Sequence, residues 1–216
     1  YTPRDLLDRP LLSRRVALAT QRVVEAIPPG LVLAFGTLGG PSTGRPVPLS
    51  GKERRGELLG NDLVVAERGR ELARARKQLL PTYDVFDEAR HFAPGLETIV
   101  VELDGLKIAL TICEDAWARA ACGGHGQVST HSRYRVDPLA GLRGAWIDLV
   151  LNASASPFTV GKLRDRGLVF QQVARDVGAP VAFVNQVGSN DELIFDGRSS
   201  VWNASGELIH EAPWFE

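Results

Sequence analysis

Methionine is absent from the sequence, and only two cysteines occur among its 216 residues. Because the first residue is Tyr1, we expect the sequence to be an internal piece of a longer protein. Cys113 and Cys122 are too few for the disulfide framework of a small secreted domain, and they favour a reduced compartment with one reactive thiol. A cytoplasmic location is therefore expected.

Long apolar runs and an excess of charge of one sign are also lacking. No run approaches the roughly 18 residues that span a bilayer, and the first residues do not have the pattern of a signal peptide. The net charge is -1 and the basic residues are scattered. We therefore expect neither a membrane nor a nucleic acid as a partner. The hydrophobic content of 44% is that of one ordinary globular domain spanning residues 1–216.

Lysine is scarce, since only four of the 25 basic residues are lysines. A lysine offers a compact amine whose pKa can be tuned, which an arginine cannot replace. In a chain whose usual cation is arginine, each lysine therefore marks a position at which such an amine can be required. These positions are Lys52, Lys77, Lys107 and Lys162.

The apolar periodicity predicts a mixed α/β domain. Leu6 to Ile27 has the pattern of an amphipathic helix with Ser13 as a candidate cap, and Lys162 to Val177 predicts a second helix that ends at Gly178. Strands are predicted at Leu31–Leu38, Ile147–Leu151, Val181–Val184, Leu193–Phe195 and Leu208–Glu211, and hairpins at Asn61–Arg76 and Thr98–Ile112, the last turning at Asp104-Gly105. Hairpins among alternating strands and helices indicate mixed sheets.

Cys113 directly follows a strand-like apolar run, Lys107–Ile112, and precedes Glu114 and Asp115. A strand end holds a nucleophile rigidly while the following turn exposes it to a pocket. A buried structural cysteine is the other interpretation of this pattern.

Two further segments carry polar groups that suit a catalytic site. Lys77 stands at the exit of a hairpin, where its ammonium could stabilise a thiolate and an oxyanion or could simply be a solvated cation. Glu88 could position that amine or be a surface carboxylate. Residues 152–162, between a strand and a helix, form either a cradle for a polar substrate or a capped loop.

Four motifs occur in order along the chain: KQLLPTYDVFDE at 77–88, ICEDAW at 112–117, NASASPFTVGK at 152–162 and VNQVGSNDELIFDG at 184–197. Together they resemble the amidase domain of the glutamine-dependent NAD synthetases, which belongs to the nitrilase superfamily. The resemblance covers nearly the whole chain. It implies a four-layer α-β-β-α sandwich, here incomplete at both termini, as a nitrilase-like domain without the C-terminal synthetase domain.

The resemblance also assigns roles to individual residues. It implies a Glu-Lys-Cys triad, and its glutamate is expected upstream of Tyr1. By motif match Cys113 is the nucleophile, Lys77 the triad lysine and Glu88 an accessory glutamate, whereas Tyr83, Glu114, Ser156 and Lys162 hold the amino acid moiety of glutamine.

The implied reaction is hydrolysis of the glutamine side-chain amide, with the ammonia passing to an ATP-dependent domain that amidates nicotinic acid adenine dinucleotide. ATP and Mg are expected in that domain and no cofactor in this one, and a homo-oligomer is expected. One alternative is a free-standing nitrilase-like amidase that acts on another small amide. The other is a noncatalytic remnant without the triad glutamate.

Residues 120–137 form a polar stretch longer than the family pattern. Cys122, His125 and His131 within it are residue types that bind metals, but they lack the fixed spacing of a zinc site. We therefore expect a surface insertion and no metal.

Overall fold

The computed structural model describes residues 4–40, 58–119, 121–123, 127–129 and 134–216. Contacts along the chain divide it into an N-terminal unit, Thr2–Leu96, and a C-terminal unit, Glu97–Glu216. Within the described residues, no helix combines the length and the apolar character needed to cross a membrane.

The described residues of the N-terminal unit form one α-helix and one antiparallel sheet in the order β1-β2-β3. Val24 of the helix and Ile27, its C-cap, are buried with Val64 and Ala66 of the central strand, so the apolar face of the helix packs on the sheet. The elements are α1 (Pro10–Ala26), β1 (Leu33–Gly39), β2 (Gly60–Glu67) and β3 (Arg70–Arg76), with 3-10 helices at Arg4–Asp8 and Glu88–Arg90.

Helix α1 does not begin at the predicted cap. Pro10 is its first residue, and Arg9 is the N-cap without a side-chain cap hydrogen bond. The fixed φ of proline suits the first helical position, where no partner for the backbone N–H is needed. Ser13 therefore lies inside the helix, and the prediction that it caps the helix was wrong.

The C-terminal unit is built on a six-stranded mixed sheet in the order β13-β12-β9-β8-β5-β4. The neighbours β5, β8 and β9 are parallel, and the outer pairs are antiparallel. Two further two-stranded sheets pair β6 with β7 and β10 with β11. The elements are β4 (Ile99–Leu103), β5 (Leu106–Ile112), β6 (Ala121–Gly123), β7 (Gln127–Ser129), β8 (Leu149–Ser154), α2 (Lys162–Val177), β9 (Val181–Asn185), β10 (Val187–Asn190), β11 (Leu193–Asp196), β12 (Ser200–Trp202) and β13 (Leu208–Glu211), with 3-10 helices at Cys113–Trp117 and Ala140–Leu142.

Both predicted hairpins are present, and the mixed sheet is confirmed. Asp104 and Gly105 have φ values of 51° and 81°, the left-handed conformation that a two-residue hairpin turn requires. Strands β6, β7, β10 and β12 were not predicted, and the first two lie in the stretch that we expected to be an insertion. The residues of β10 are all exposed, so they show no apolar alternation, and β12 has only three residues.

Helix α2 has the predicted bounds and covers the central strands. Its residues Val169, Phe170 and Val173 are buried in the main core, where the Phe170 and Phe183 rings lie 4.5 Å apart. Burying each such side chain contributes about 1.5–3 kcal/mol. Gly178 ends the helix with φ 74°, and its N–H donates to the carbonyl of Ala174 at 2.8 Å.

Alanine substitutions at Gly178, the C-cap of α2, and at Gly167, inside the helix, should change the free energy of unfolding in opposite directions. Gly178→Ala should lower the free energy of unfolding by about 1–2 kcal/mol, because an L side chain disfavours the left-handed conformation. Gly167→Ala should raise it by about 0.5–1 kcal/mol, because this glycine is inside the helix and an added Cβ would only touch Trp202 at 3.6 Å. Urea unfolding measures both values. A stabilising Gly178→Ala would contradict the assigned helix end.

Candidate active site

The structure distributes the predicted site residues between the two units. Lys77, Tyr83 and Glu88 lie in the N-terminal unit. Cys113 lies in the C-terminal unit, as do the other three, Glu114, Ser156 and Lys162.

Cys113 is the first residue of the 3-10 helix that follows β5, and its thiol is free and half-buried. Its φ is 46°, in the left-handed region that residues with a side chain rarely adopt, at a cost of about 1–3 kcal/mol. The turn is held by the Ile112 N–H, which donates to the Asp115 carboxylate at 3.0 Å. Strain of this kind is concentrated at functional sites, and the half-buried thiol is not part of the packed core.

Asn152 connects the ends of β5 and β8, a role that the sequence did not indicate. It is fully buried, and its amide donates to Thr111 Oγ1 at 3.0 Å and to the Cys113 carbonyl at 3.3 Å. The Ser154 hydroxyl donates in turn to Asn152 Oδ1 at 2.8 Å. The backbone of the nucleophile candidate is thereby tied to the neighbouring strand.

Glu114 and Lys162 share the surroundings of Cys113. Burial lowers the pKa of Lys162, and the neighbouring Arg166 lowers it further, whereas Cys113, Glu114 and Asp196 counteract that effect. Its Nζ atom is 6.0 Å from the Trp117 ring centroid. A thiol, a carboxylate and an amine therefore interact electrostatically at this end of the sheet.

Tyr134 is a site residue that sequence reasoning missed. Its hydroxyl donates to Glu114 Oε1 at 2.8 Å, and Glu114 is only 8% exposed. The two residues are 20 positions apart, and Tyr134 lies in the polar stretch that we interpreted as an insertion. No local pattern could have indicated this contact.

Ser156 is buried in the loop between β8 and α2. Its N–H donates to Asn185 Oδ1 at 2.8 Å, and its carbonyl accepts a hydrogen bond from Arg166 Nη2 at 3.1 Å. The loop between β8 and α2 is thus held by buried polar side chains from β9 and α2.

Lys77 is buried, 2% exposed, and is therefore not a solvated cation. Its Nζ atom donates to both carboxylate oxygens of Glu88, at 2.6 and 2.8 Å. Glu88 is itself buried, so the carboxylate fixes the amine and compensates its charge where water cannot. The structure thereby brings together the two residues that the motif paired.

Tyr83 is half-buried in the same segment, with its ring 5.8 Å from that of Phe86 in an edge-to-face contact. The Phe86 N–H donates to the Tyr83 carbonyl at 3.0 Å, and the Glu88 N–H to the Pro81 carbonyl at 3.0 Å. The motif at 77–88 is therefore a compact turn that joins the ring to the buried ion pair.

The side chains of Cys122, His125 and His131, the residues of metal-binding type, are not described in the structure. His125 and His131 are not among the described residues, and for Cys122 only the backbone, in β6, is described. The described residues contain no group of three His, Cys, Asp or Glu that could hold a metal ion.

The chain is similar in sequence to several glutamine-dependent NAD(+) synthetases. It is 37% identical over 217 residues to the glutamine-dependent NAD(+) synthetase of Synechocystis, covering 100% of this chain and 36% of the relative. It is 40% identical over 157 residues to the Thermotoga maritima protein of the same name, covering 72% of this chain and 24% of the relative. The chain is therefore similar to one part of the glutamine-dependent NAD(+) synthetases. It spans about a third of their length or less. No protein-family model matches the sequence.

Solved structures confirm the predicted α/β fold class. The glutamine-dependent NAD+ synthetase of Acinetobacter baumannii, solved in complex with ADP, matches with a TM-score of 0.78 and 31% identity, covering 100% of this chain and 35% of that one. A Nesterenkonia amidase of the nitrilase superfamily matches with a TM-score of 0.69 and 22% identity, covering 99% and 69%. The latter likeness shows the fold alone.

The Lys162 amine should lose its proton below the ordinary lysine value of 10.5, because burial disfavours the ammonium. Carbon-13 labelling of the four lysines allows the Cε resonances to be followed against pH. The resonance that is missing in Lys162→Arg identifies Lys162. A titration midpoint at or above 10.5 would contradict the buried amine.

Proposed function

We propose that this chain is the glutamine-hydrolysing domain of a glutamine-dependent NAD(+) synthetase, with Cys113 as its nucleophile. The observation that carries the proposal is the half-buried thiol in a left-handed turn at the end of a parallel strand. Cys113 and Glu114 both interact electrostatically with the buried Lys162 amine. The relatives that match the whole chain carry the corresponding name.

The reaction proceeds through a thioester. The Cys113 thiolate attacks the carbonyl carbon of the glutamine side chain, the carbon–nitrogen bond breaks, and the nitrogen leaves as ammonia after gaining a proton. Water then hydrolyses the thioester and releases glutamate and the thiol. The proton is moved, in the family pattern, by a glutamate upstream of Tyr1. By the motif match, Lys77 and the backbone N–H of Glu114 stabilise the oxyanion, and Glu88 holds Lys77.

The charges near Cys113 favour an amino acid substrate. The Glu114 carboxylate suits an α-ammonium group and the Lys162 ammonium an α-carboxylate, so together they match the zwitterionic end of glutamine. The Ser156 and Tyr83 hydroxyls would complete this recognition. A neutral small amide would use neither charge, which favours glutamine over the alternative of another nitrilase-like amidase, whose fold likeness is the Nesterenkonia enzyme.

The ammonia would be consumed by a synthetase domain of the same polypeptide. The chain spans only 36% of the Synechocystis relative, which leaves room for such a domain there. The Acinetobacter relative was solved with ADP, which is consistent with ATP chemistry in that protein, and we assign ATP and Mg to the synthetase domain. We assign no cofactor to this domain. We also propose that the protein is cytoplasmic and forms a homo-oligomer. A noncatalytic remnant is the third possible function, and an unreactive Cys113 would favour it.

Replacing Cys113 tests the nucleophile. In the complete polypeptide that carries this chain, Cys113→Ala should abolish release of ammonia from glutamine, because no thioester can form. The matched control is Cys122→Ala, which removes the other cysteine of the sequence and should keep wild-type turnover. Equal losses in the two variants would refute the assignment.

Lys77→Arg should lower the turnover of glutamine by about 10² to 10³, because a planar guanidinium cannot take the place of the compact buried ammonium. Lys107→Arg is the control, since Lys107 is exposed on β5. The measurement is the steady-state rate of ammonia release. Near-normal turnover in Lys77→Arg would show that only the charge matters.

A further inference from the structure

A buried ion pair lies beside Ser156 and has no part in the chemistry above. Arg166 of α2 and Asp196 at the end of β11 are only 4% and 2% exposed. The guanidinium donates to both carboxylate oxygens, from Nη1 at 2.9 Å and from Nη2 at 2.7 Å. A two-pronged pair of this kind fixes orientation as well as distance.

The same guanidinium also holds the loop before α2. Its Nη2 atom donates to the Ser156 carbonyl at 3.1 Å and lies 3.5 Å from the Pro157 carbonyl. Arg166 follows Lys162 by four residues, so the two side chains leave the same face of the helix. The ion pair therefore connects β11 to both Ser156 and the helical turn that carries Lys162.

The Asn185 side chain also binds the backbone of Ser156. Its Oδ1 atom accepts the Ser156 N–H at 2.8 Å, and its Nδ2 atom donates to the Gly197 carbonyl at 2.9 Å and lies 3.4 Å from the Ser156 carbonyl. Gly197 directly follows Asp196. The end of β9, the turn after β11 and the loop before α2 are therefore one hydrogen-bonded unit.

We propose that Arg166, Asp196 and Asn185 are positioning residues that set Ser156 and Lys162 for the amino acid end of the substrate, without tuning the thiol itself. This inference rests on the proposed function. Asn152, not this network, contacts the backbone of Cys113. The network should therefore determine how tightly glutamine binds, while the intrinsic reactivity of the thiol depends on the strand end.

Charge gives the network a second effect on the same amine. Lys162 is influenced by Cys113 and Glu114 from the 3-10 helix after β5, by Arg166 from its own helix and by Asp196 from β11. Arg166 disfavours the Lys162 ammonium, and Asp196 favours it. Removing only the Asp196 charge leaves the Arg166 guanidinium uncompensated, so the pKa of Lys162 falls further. A Lys162 side chain that is less often charged binds a carboxylate more weakly.

Alkylation of Cys113 separates binding from thiol reactivity. The complete polypeptide is treated with iodoacetamide, the modification of Cys113 is followed by peptide mass spectrometry, and L-glutamine is added at increasing concentration as a protecting substrate. Asp196→Asn keeps the shape of the side chain and removes its charge, and Arg166→Lys keeps the charge and removes the two-pronged geometry. The matched control is Glu211→Gln, which removes the carboxylate charge of Glu211, a residue of β13 that forms an ion pair with Arg198.

In both test variants the glutamine concentration that halves the alkylation rate should rise about 10-fold or more, because displaced binding groups lose affinity steeply. The rate without glutamine should stay within about 2-fold of wild type, as expected when only binding is changed. Glu211→Gln should match wild type in both measurements. Variants that are protected as well as wild type would overturn the inference.

The remaining outcomes are equally decisive. If glutamine does not protect the wild-type thiol, the proposed function fails, whatever the variants do. If circular dichroism shows that Asp196→Asn and Arg166→Lys both fail to fold, the pair is required for the fold and the positioning role is overturned. A parallel change in alkylation without glutamine would place the network on the thiol and also overturn the inference.

Discussion

The candidate site depends on the parallel arrangement of β5, β8 and β9, because the carboxyl ends of neighbouring parallel strands meet at one edge of the sheet. Ile112 is paired with Ala153, and Ser154 with Asn185, so the residues that follow each strand emerge side by side. Cys113, the loop with Ser156 and Asn185 are thereby assembled from segments far apart in the sequence. A shift of one residue in either register would turn these side chains to the opposite face.

Two buried asparagines make this edge rigid. Asn152 binds the backbone at the end of β5, and Asn185 binds the Ser156 peptide, so polar backbone groups that leave the sheet still have partners away from water. The main core packs α2 against β8 and β9, the strands that carry these two residues. This support explains how Cys113 can remain in a left-handed conformation, since strained residues persist only where their surroundings over-determine them.

Charge is buried in compensated groups in both units. Lys77 is neutralised by Glu88 in the N-terminal unit, and Arg166 by Asp196 in the C-terminal unit. An unpaired charge in either position would be strongly destabilising, by about 3–5 kcal/mol. Lys162 differs, because its burial lowers its pKa and so favours the uncharged amine. Perturbed pKa values are concentrated at functional sites, which supports the assignment of Lys162 to the candidate site.

Features that depend on a few neighbouring residues could be predicted from the sequence alone. Asp104-Gly105 predicted a hairpin turn, and Gly178 predicted the end of a helix. The apolar run before Cys113 predicted a thiol at the end of a strand. Each of these features depends on only a few adjacent residues. The four motifs likewise indicated the fold class. The contacts of Tyr134 with Glu114 and of Arg166 with Asp196 span 20 and 30 positions, and β10 shows no apolar pattern. Only the tertiary structure decided these features, because hydrogen bonds between distant segments depend on how strands pair and leave no periodicity in the sequence.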